Sequence, residues 1–208
     1  MMLGARTAAW SPSGAPLPYD AEVEWIETDG QAFIDTGSRG NDKSSFWCRF
    51  SFTNKISAVF GYRLSGTEEN ICVNASGAAN NVQVDFGDFT KFRVNVSYPV
   101  LGEPFDIVFD RYHVNNVDTS LLKVEQFTQR DGITLFKCKN NPYYSKPIKG
   151  TKIFGFGCTN TTMDVYLIPV RFTNENGVSE GAMYDRVSGQ LFRNAGTGSV
   201  IIGPDKTT

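Results

Sequence analysis

The chain has 208 residues and a formal net charge of -2, with Lys and Arg scattered singly, so no basic surface for nucleic acid is expected. Sixteen Phe, eight Tyr and three Trp supply enough apolar area for one substantial β-type core. No apolar run approaches the roughly 20 residues of a membrane helix, and "MMLGARTAAWSPSGAPLPYD" lacks a secretory h-region, so neither membrane insertion nor signal-directed secretion is expected.

Residues 1–20 are rich in Ala, Ser, Pro and Gly and read as an extended arm. Trp10, Leu17 and Tyr19 are its apolar anchors for docking on a partner; the plain alternative is a loose terminus with one chance Trp. Residues 21–208 are expected to form a single all-β domain. From Asp20 onward the pattern has period two. In "SFWCRFSF" Phe46, Cys48, Phe50 and Phe52 face one way, and Trp47, Arg49 and Ser51 the other. Val82, Val84 and Phe86 repeat the pattern, as do Phe92, Val94, Val96 and Tyr98, then Phe105, Ile107 and Phe109. Near the end, Met163, Val165 and Leu167 oppose Tyr166 and Ile168. Further strands are expected in "EVEWIE", "QAFIDTG", "SAVFGYR", "ENICVN", "SLLKVEQF", "GITLFKCK", "TKIFGFGC", "GAMYDRV", "QLFRNA" and "SVIIG". Gly- and Asn-rich turns separate them, and no helical stripe appears. Many short alternating strands with one wet face predict an antiparallel sandwich or jelly roll.

Cys48, Cys72, Cys138 and Cys158 each sit in a strand-like context without a CxxC pair. Buried free thiols are favoured over disulfides or a metal site.

Three stretches resemble a known family. "EWIETDGQAFIDTG", Glu24 to Gly37, is similar to the N-terminal signature of the laminin-G-like, concanavalin A-type jelly rolls of gut bacteria and their phages. "FGYR", Phe60 to Arg63, resembles that family's following strand. Leu167 to Pro204, with "GAMYDRVSGQLFRNAGTG", resembles its C-terminal signature. The resemblance implies an antiparallel jelly-roll β-sandwich. It also implies a lectin-like module of adhesins or of phage tail and capsid accessory proteins. A lone domain with such an arm points to a virion protein, made in the host cytoplasm and contacting other virion proteins through residues 1–20. A trimer or other homo-oligomer would suit a fibre or spike.

No catalytic residues are assigned. Glycoside hydrolases of this fold class carry Glu-x-Asp-x-x-Glu on one strand. Glu22 with Glu24, and Asp85 with Asp88, do not reproduce that spacing. His113 is the one histidine and reads as an ordinary hairpin residue rather than a general base. No cofactor is expected. Ca²⁺ is the one candidate metal, on oxygens of Asp88, Asn115, Asn116, Asp118, Asn160 and Asp164, yet these are also the default turn formers and none is assigned as a ligand. The sequons at Asn74, Asn95 and Asn160 carry little weight without a signal peptide.

Candidate glycan-binding groups pair aromatic faces with polar side chains: Trp47 with Arg49, Tyr62 with Arg63, and Tyr143 with Tyr144 in "NNPYYSKP". The competing readings are a structural decoration protein without glycan affinity, a bacterial adhesin module, and, least favoured, a glycoside hydrolase. "Ser188-Gly189" is expected to turn a closing hairpin in which Asp185 pairs with Arg186 or Arg193, or accepts backbone N–H bonds.

Overall fold

The computed structural model describes residues 16–54, 57–64, 69–76, 81–98, 100–141 and 143–207. Among them are eighteen strands and no helix. They are β1 (Ala21–Glu22), β2 (Ile26–Thr28), β3 (Ile34–Asp35), β4 (Ser45–Phe52), β5 (Ser57–Tyr62), β6 (Asn70–Ser76), β7 (Asn81–Gly87), β8 (Arg93–Ser97) and β9 (Phe105–Phe109). There follow β10 (His113–Val114), β11 (Val117–Asp118), β12 (Thr134–Leu135), β13 (Cys138–Lys139), β14 (Thr151–Thr159), β15 (Val165–Thr173), β16 (Ser179–Asp185), β17 (Leu191–Phe192) and β18 (Val200–Ile202).

They form two open sheets. The first runs β11-β10-β9-β4-β14-β15-β16-β17, with β1 on β15 and β2 between β14 and β18. The second runs β3-β12-β5-β6-β7-β8. Every pairing is antiparallel except β13 on β5. One core joins the sheets, as expected of a β-sandwich. Phe46, Phe50, Ile107, Phe109, Phe156 and Leu167 of the first sheet and Phe60, Ile71, Val84 and Phe86 of the second belong to a single buried cluster. The alternation in β4 is the cause: Phe46, Cys48 and Phe50 are buried, while Trp47 and Arg49 point outward.

Three expectations are corrected. "SLLKVEQF" forms no strand; its Phe127 packs edge-on against Phe86 of β7, and Thr128 just beyond it makes an isolated bridge to Asn41. Val124 and Leu122 still pack on the core, which is why the stretch is apolar. Cys72 and Cys138 are not free thiols: they are joined by a disulfide, across the parallel β5–β13 contact that sets Cys138 beside Gly61 and Gly61 beside Cys72. Cys48 and Cys158 are free and buried. "GITLFKCK" is two dipeptide strands, broken at Phe136, whose φ is +72°.

The N-terminal and C-terminal stretches of the family resemblance clasp each other. The N–H of Ala195 donates to the carbonyl of Phe33 at 2.8 Å, and Asn194 Oδ1 accepts the N–H of Phe33 at 3.2 Å. A Cβ at Gly196 would lie 2.1 Å from the carbonyl oxygen of Gln31, so only glycine lets the tail approach this closely. Asp29 Oδ2 accepts the N–H of Ser199 at 2.6 Å, and Oδ1 those of Gln31 and Ala32 at 2.8 and 3.0 Å. The Ser199 bond first, and then those from Gln31 and Ala32, hold this carboxyl below its usual 3.8 against a lesser cost of burial. The ionised form therefore favours folding. The stability it contributes is full above the unfolded pKa and is lost as pH falls through the folded one. Thermal melts from about pH 6 to about pH 2.5 should show the advantage of the native chain over Asp29→Asn shrinking toward the acid end. An advantage independent of pH would refute the assignment.

At the other end of the clasp, Tyr19 packs on the chain's own domain. Its ring meets that of Tyr184 at 4.9 Å, within a small outer cluster of Ile168, Val170, Phe172 and Ala182. Burial, and then the Glu22 carboxylate, push its phenol up to about 12. Leu17 stays exposed, and Trp10 lies outside the described residues. Of the three arm anchors, Tyr19 thus anchors the chain to itself.

Candidate functional site

The outward face of the first sheet carries a transverse row set by strand register. Val108 of β9 stands beside Trp47 of β4, Trp47 beside Gly157 of β14, and Gly157 beside Tyr166 of β15. Trp47 and Tyr166 are nearly parallel, 13° apart, with centroids at 5.9 Å. Glycine makes room for this. A Cβ at Gly155 would sit 2.7 Å from Trp47 Cη2, and one at Gly157 would touch both rings at 3.7 Å. The indole therefore lies over the β14 backbone.

Polar groups flank the rings. Trp47 Nε1 donates to Asp106 Oδ1 at 3.2 Å, and Arg49 approaches Asp106 Oδ2 at 3.8 Å. Arg49 and Asp106 are about half exposed, so this ion pair contributes little to stability and is free to exchange partners. Asp106 is itself set opposite Arg49 by register. The result is a broad aromatic surface with an acceptor and a cationic donor at its edge.

The other candidates lie apart from Trp47 and Arg49: Tyr62 on β5 of the second sheet, Arg63 just after it, and Tyr143 and Tyr144 in the turn after β13. Tyr62 is buried at 1 % exposure and offers no ring to a ligand; the expected Tyr62–Arg63 pair is thereby overturned. β5 is buried on both faces from Ala58 to Tyr62, so it has no wet side for Tyr62 to occupy, and that is why the reading of the strand failed. Arg63 stacks on Phe89, 4.2 Å from the ring centroid, with Arg93 4.7 Å from the same centroid. Tyr144 packs against the Cys72–Cys138 pair. Tyr143 is 80 % exposed. The consecutive tyrosines therefore do not form one platform.

Three of the four carboxylates considered for catalysis have structural partners. Glu22 is bound by Arg186 at 2.7 Å. Asp85, buried, takes Arg93 through both carboxylate oxygens at 2.7 and 2.9 Å. Burial outweighs that pair and raises the Asp85 pKa. Asp88 Oδ1 caps the N–H of Thr90 at 2.9 Å. His113 stands exposed at the start of a hairpin. Of the Ca²⁺ candidates, Asp118 Oδ1 accepts from Ser120 N–H, Asp164 Oδ1 from Thr161 N–H, and Asn115 Oδ1 from Val108 N–H. Asp118 and Asp164 close their own turns, and Asn115 ties its turn to β9.

The alternation of the sequence pointed Trp47, Arg49 and Tyr166 outward. What it did not signal was that Tyr166 and Asp106 join Trp47, because that depends on which strands are neighbours. No family model matches the chain, and no curated protein matches it in sequence.

Proposed function

We propose that the chain is a non-enzymatic, lectin-like module of the laminin-G-like, concanavalin A-type jelly-roll class, and that it binds glycans on the outward face of its first sheet. The observation that carries this reading is the Trp47–Tyr166 pair lying over Gly155 and Gly157. Sugars present C–H faces to such rings, while their hydroxyls are met by Asp106 and Arg49. The two terminal signatures, clasped together, support membership of the class. A virion setting follows from the same resemblance: residues 1–20 would contact other virion proteins, and the face would meet host-surface or mucus glycans.

A glycan array probed with the native chain tests the reading. The best-bound glycan should lose about 30-fold in affinity on Trp47→Ala, equivalent to about 2 kcal/mol for a central aromatic anchor. Gly155→Val, which displaces the indole without removing it, should have a similar effect, and Tyr143→Ala should have none. Failure of the native chain to bind any glycan at high density would leave the glycan-free decoration protein as the surviving reading.

A further inference from the structure

A recess lies where the two terminal signatures meet the rim of the sandwich. It encloses about 480 Å³, within the range of small-ligand sites. Asp35 comes from β3 in "IDTG", Asp131 from the turn before β12, and Gln190 and Phe192 from the closing hairpin. Arg39 and Met163 complete the walls.

The wall is rigidly held. Thr36 N–H donates to the Ile133 carbonyl at 3.0 Å, and Ile133 N–H to the Ser38 carbonyl at 2.8 Å. A Cβ at Gly132 would fall 2.8 Å from Asp35 Oδ1, so the bare glycine keeps the two aspartate segments side by side. The backbone of Arg39 is clamped both ways to Thr162, through Thr162 N–H to the Arg39 carbonyl and Arg39 N–H to Thr162 Oγ1, each at 3.0 Å.

The charges are arranged unevenly. Lys139 Nζ lies 2.8 Å from Asp131 Oδ2 and 3.5 Å from Asp35 Oδ2, so a single ammonium serves both carboxylates. Each carboxylate also accepts one backbone N–H, from Gly132 and Gly37 respectively. Their remaining lone pairs are acceptors for hydroxyl groups. Among the described residues, the Arg39 guanidinium makes no ion pair and the Gln190 amide no side-chain hydrogen bond. The recess thus presents an exposed planar guanidinium without an ion pair, an amide, two carboxylates that share one ammonium, and the apolar surface of Met163 and Phe192.

We infer that this recess binds a carboxylated pyranose, a uronic or sialic acid residue, with the ligand carboxylate on Arg39 and its hydroxyls on Asp35, Asp131 and Gln190. Arginine suits this role because its fork matches a carboxylate through two parallel N–H···O bonds. A neutral sugar would leave that fork unused. The site is separate from the Trp47 face and does not depend on it.

The test is titration of the ¹⁵N-labelled chain with sodium D-glucuronate, with N-acetylneuraminate and with D-glucose. One of the acids should shift the amides of Gly37, Arg39 and Gly132. Glucose should bind about tenfold more weakly, or not at all. Arg39→Gln should weaken the acid about tenfold while leaving the remaining spectrum folded, and Trp47→Ala should leave acid binding at the recess intact. If neither acid shifts these amides, or if Arg39→Gln binds the acid as well as the native chain, the inference is wrong. Loss of array binding in Trp47→Ala alongside such a failure would retain the platform and remove only the recess.

Discussion

Asp185→Ala is expected to lower the unfolding free energy by about 4 kcal/mol, read as a fall in the urea midpoint at unchanged slope. Asp185 is fully buried at the end of β16. Its Oδ1 accepts the N–H groups of Tyr166 at 2.8 Å and Val187 at 3.1 Å. Its Oδ2 accepts the N–H and Oγ–H of Ser188 at 3.0 and 2.6 Å. Alanine would leave those donors without an acceptor, each at a cost of about 1–3 kcal/mol before relaxation and water entry reduce the sum. Asp185→Asn keeps one acceptor oxygen and should lose about half as much. The carboxylate also ties β15 to the turn through which Gly189, at φ +76°, returns its N–H to the Asp185 carbonyl at 2.8 Å. Of the three partners expected for Asp185, the backbone is therefore the one it takes. An alanine variant within 1 kcal/mol of the native chain would remove Asp185 from this role.

Phe60→Ala is expected to cost about 3–5 kcal/mol, the range for removing a buried phenylalanine and leaving its cavity. Phe60 belongs to the second sheet and meets three rings of the first: Phe156 edge-on at 5.0 Å, Phe109 at 6.1 Å and Phe46 at 6.2 Å. These contacts join the sheets at their centre. Because the surrounding rings are pinned by β4, β9 and β14, the site cannot collapse readily. Phe60→Leu, which retains most of the volume, should cost well under half as much. A midpoint for Phe60→Ala indistinguishable from that of Phe60→Leu would show that the sheets are not held together here.

The strands with a strict alternation were readable directly. In β4, β7 and β9 every residue assigned to the inner face by period two lies in or against the core. Period two fails where the chain is irregular or buried on both faces. The positive φ of Phe136 cuts one expected strand into two, and β5, buried on both faces from Ala58 to Tyr62, has no wet side. "SLLKVEQF" shows the opposite failure: its apolar residues serve a loop packed on the core, and apolarity alone does not separate loop from strand. The disulfide was missed for a related reason. Cys72 and Cys138 are 66 residues apart, and only the parallel β5–β13 contact, which no local pattern announces, brings them together.

The candidate sites divide in the same way. Composition and alternation by themselves determined that this is an all-β chain with a phenylalanine core and that Trp47 and Arg49 face outward. They follow from local rules, since a pleated strand must send neighbouring side chains to opposite faces. Tertiary structure alone decided which strands lie side by side. It set Tyr166 and Asp106 beside Trp47, seated the indole over Gly155, moved Tyr62 into the interior, and drew Asp35, Arg39, Asp131 and Gln190 to one rim. The physical reason is that strand neighbours are chosen by packing across the whole core, and residues more than a hundred positions apart meet only once that choice is made.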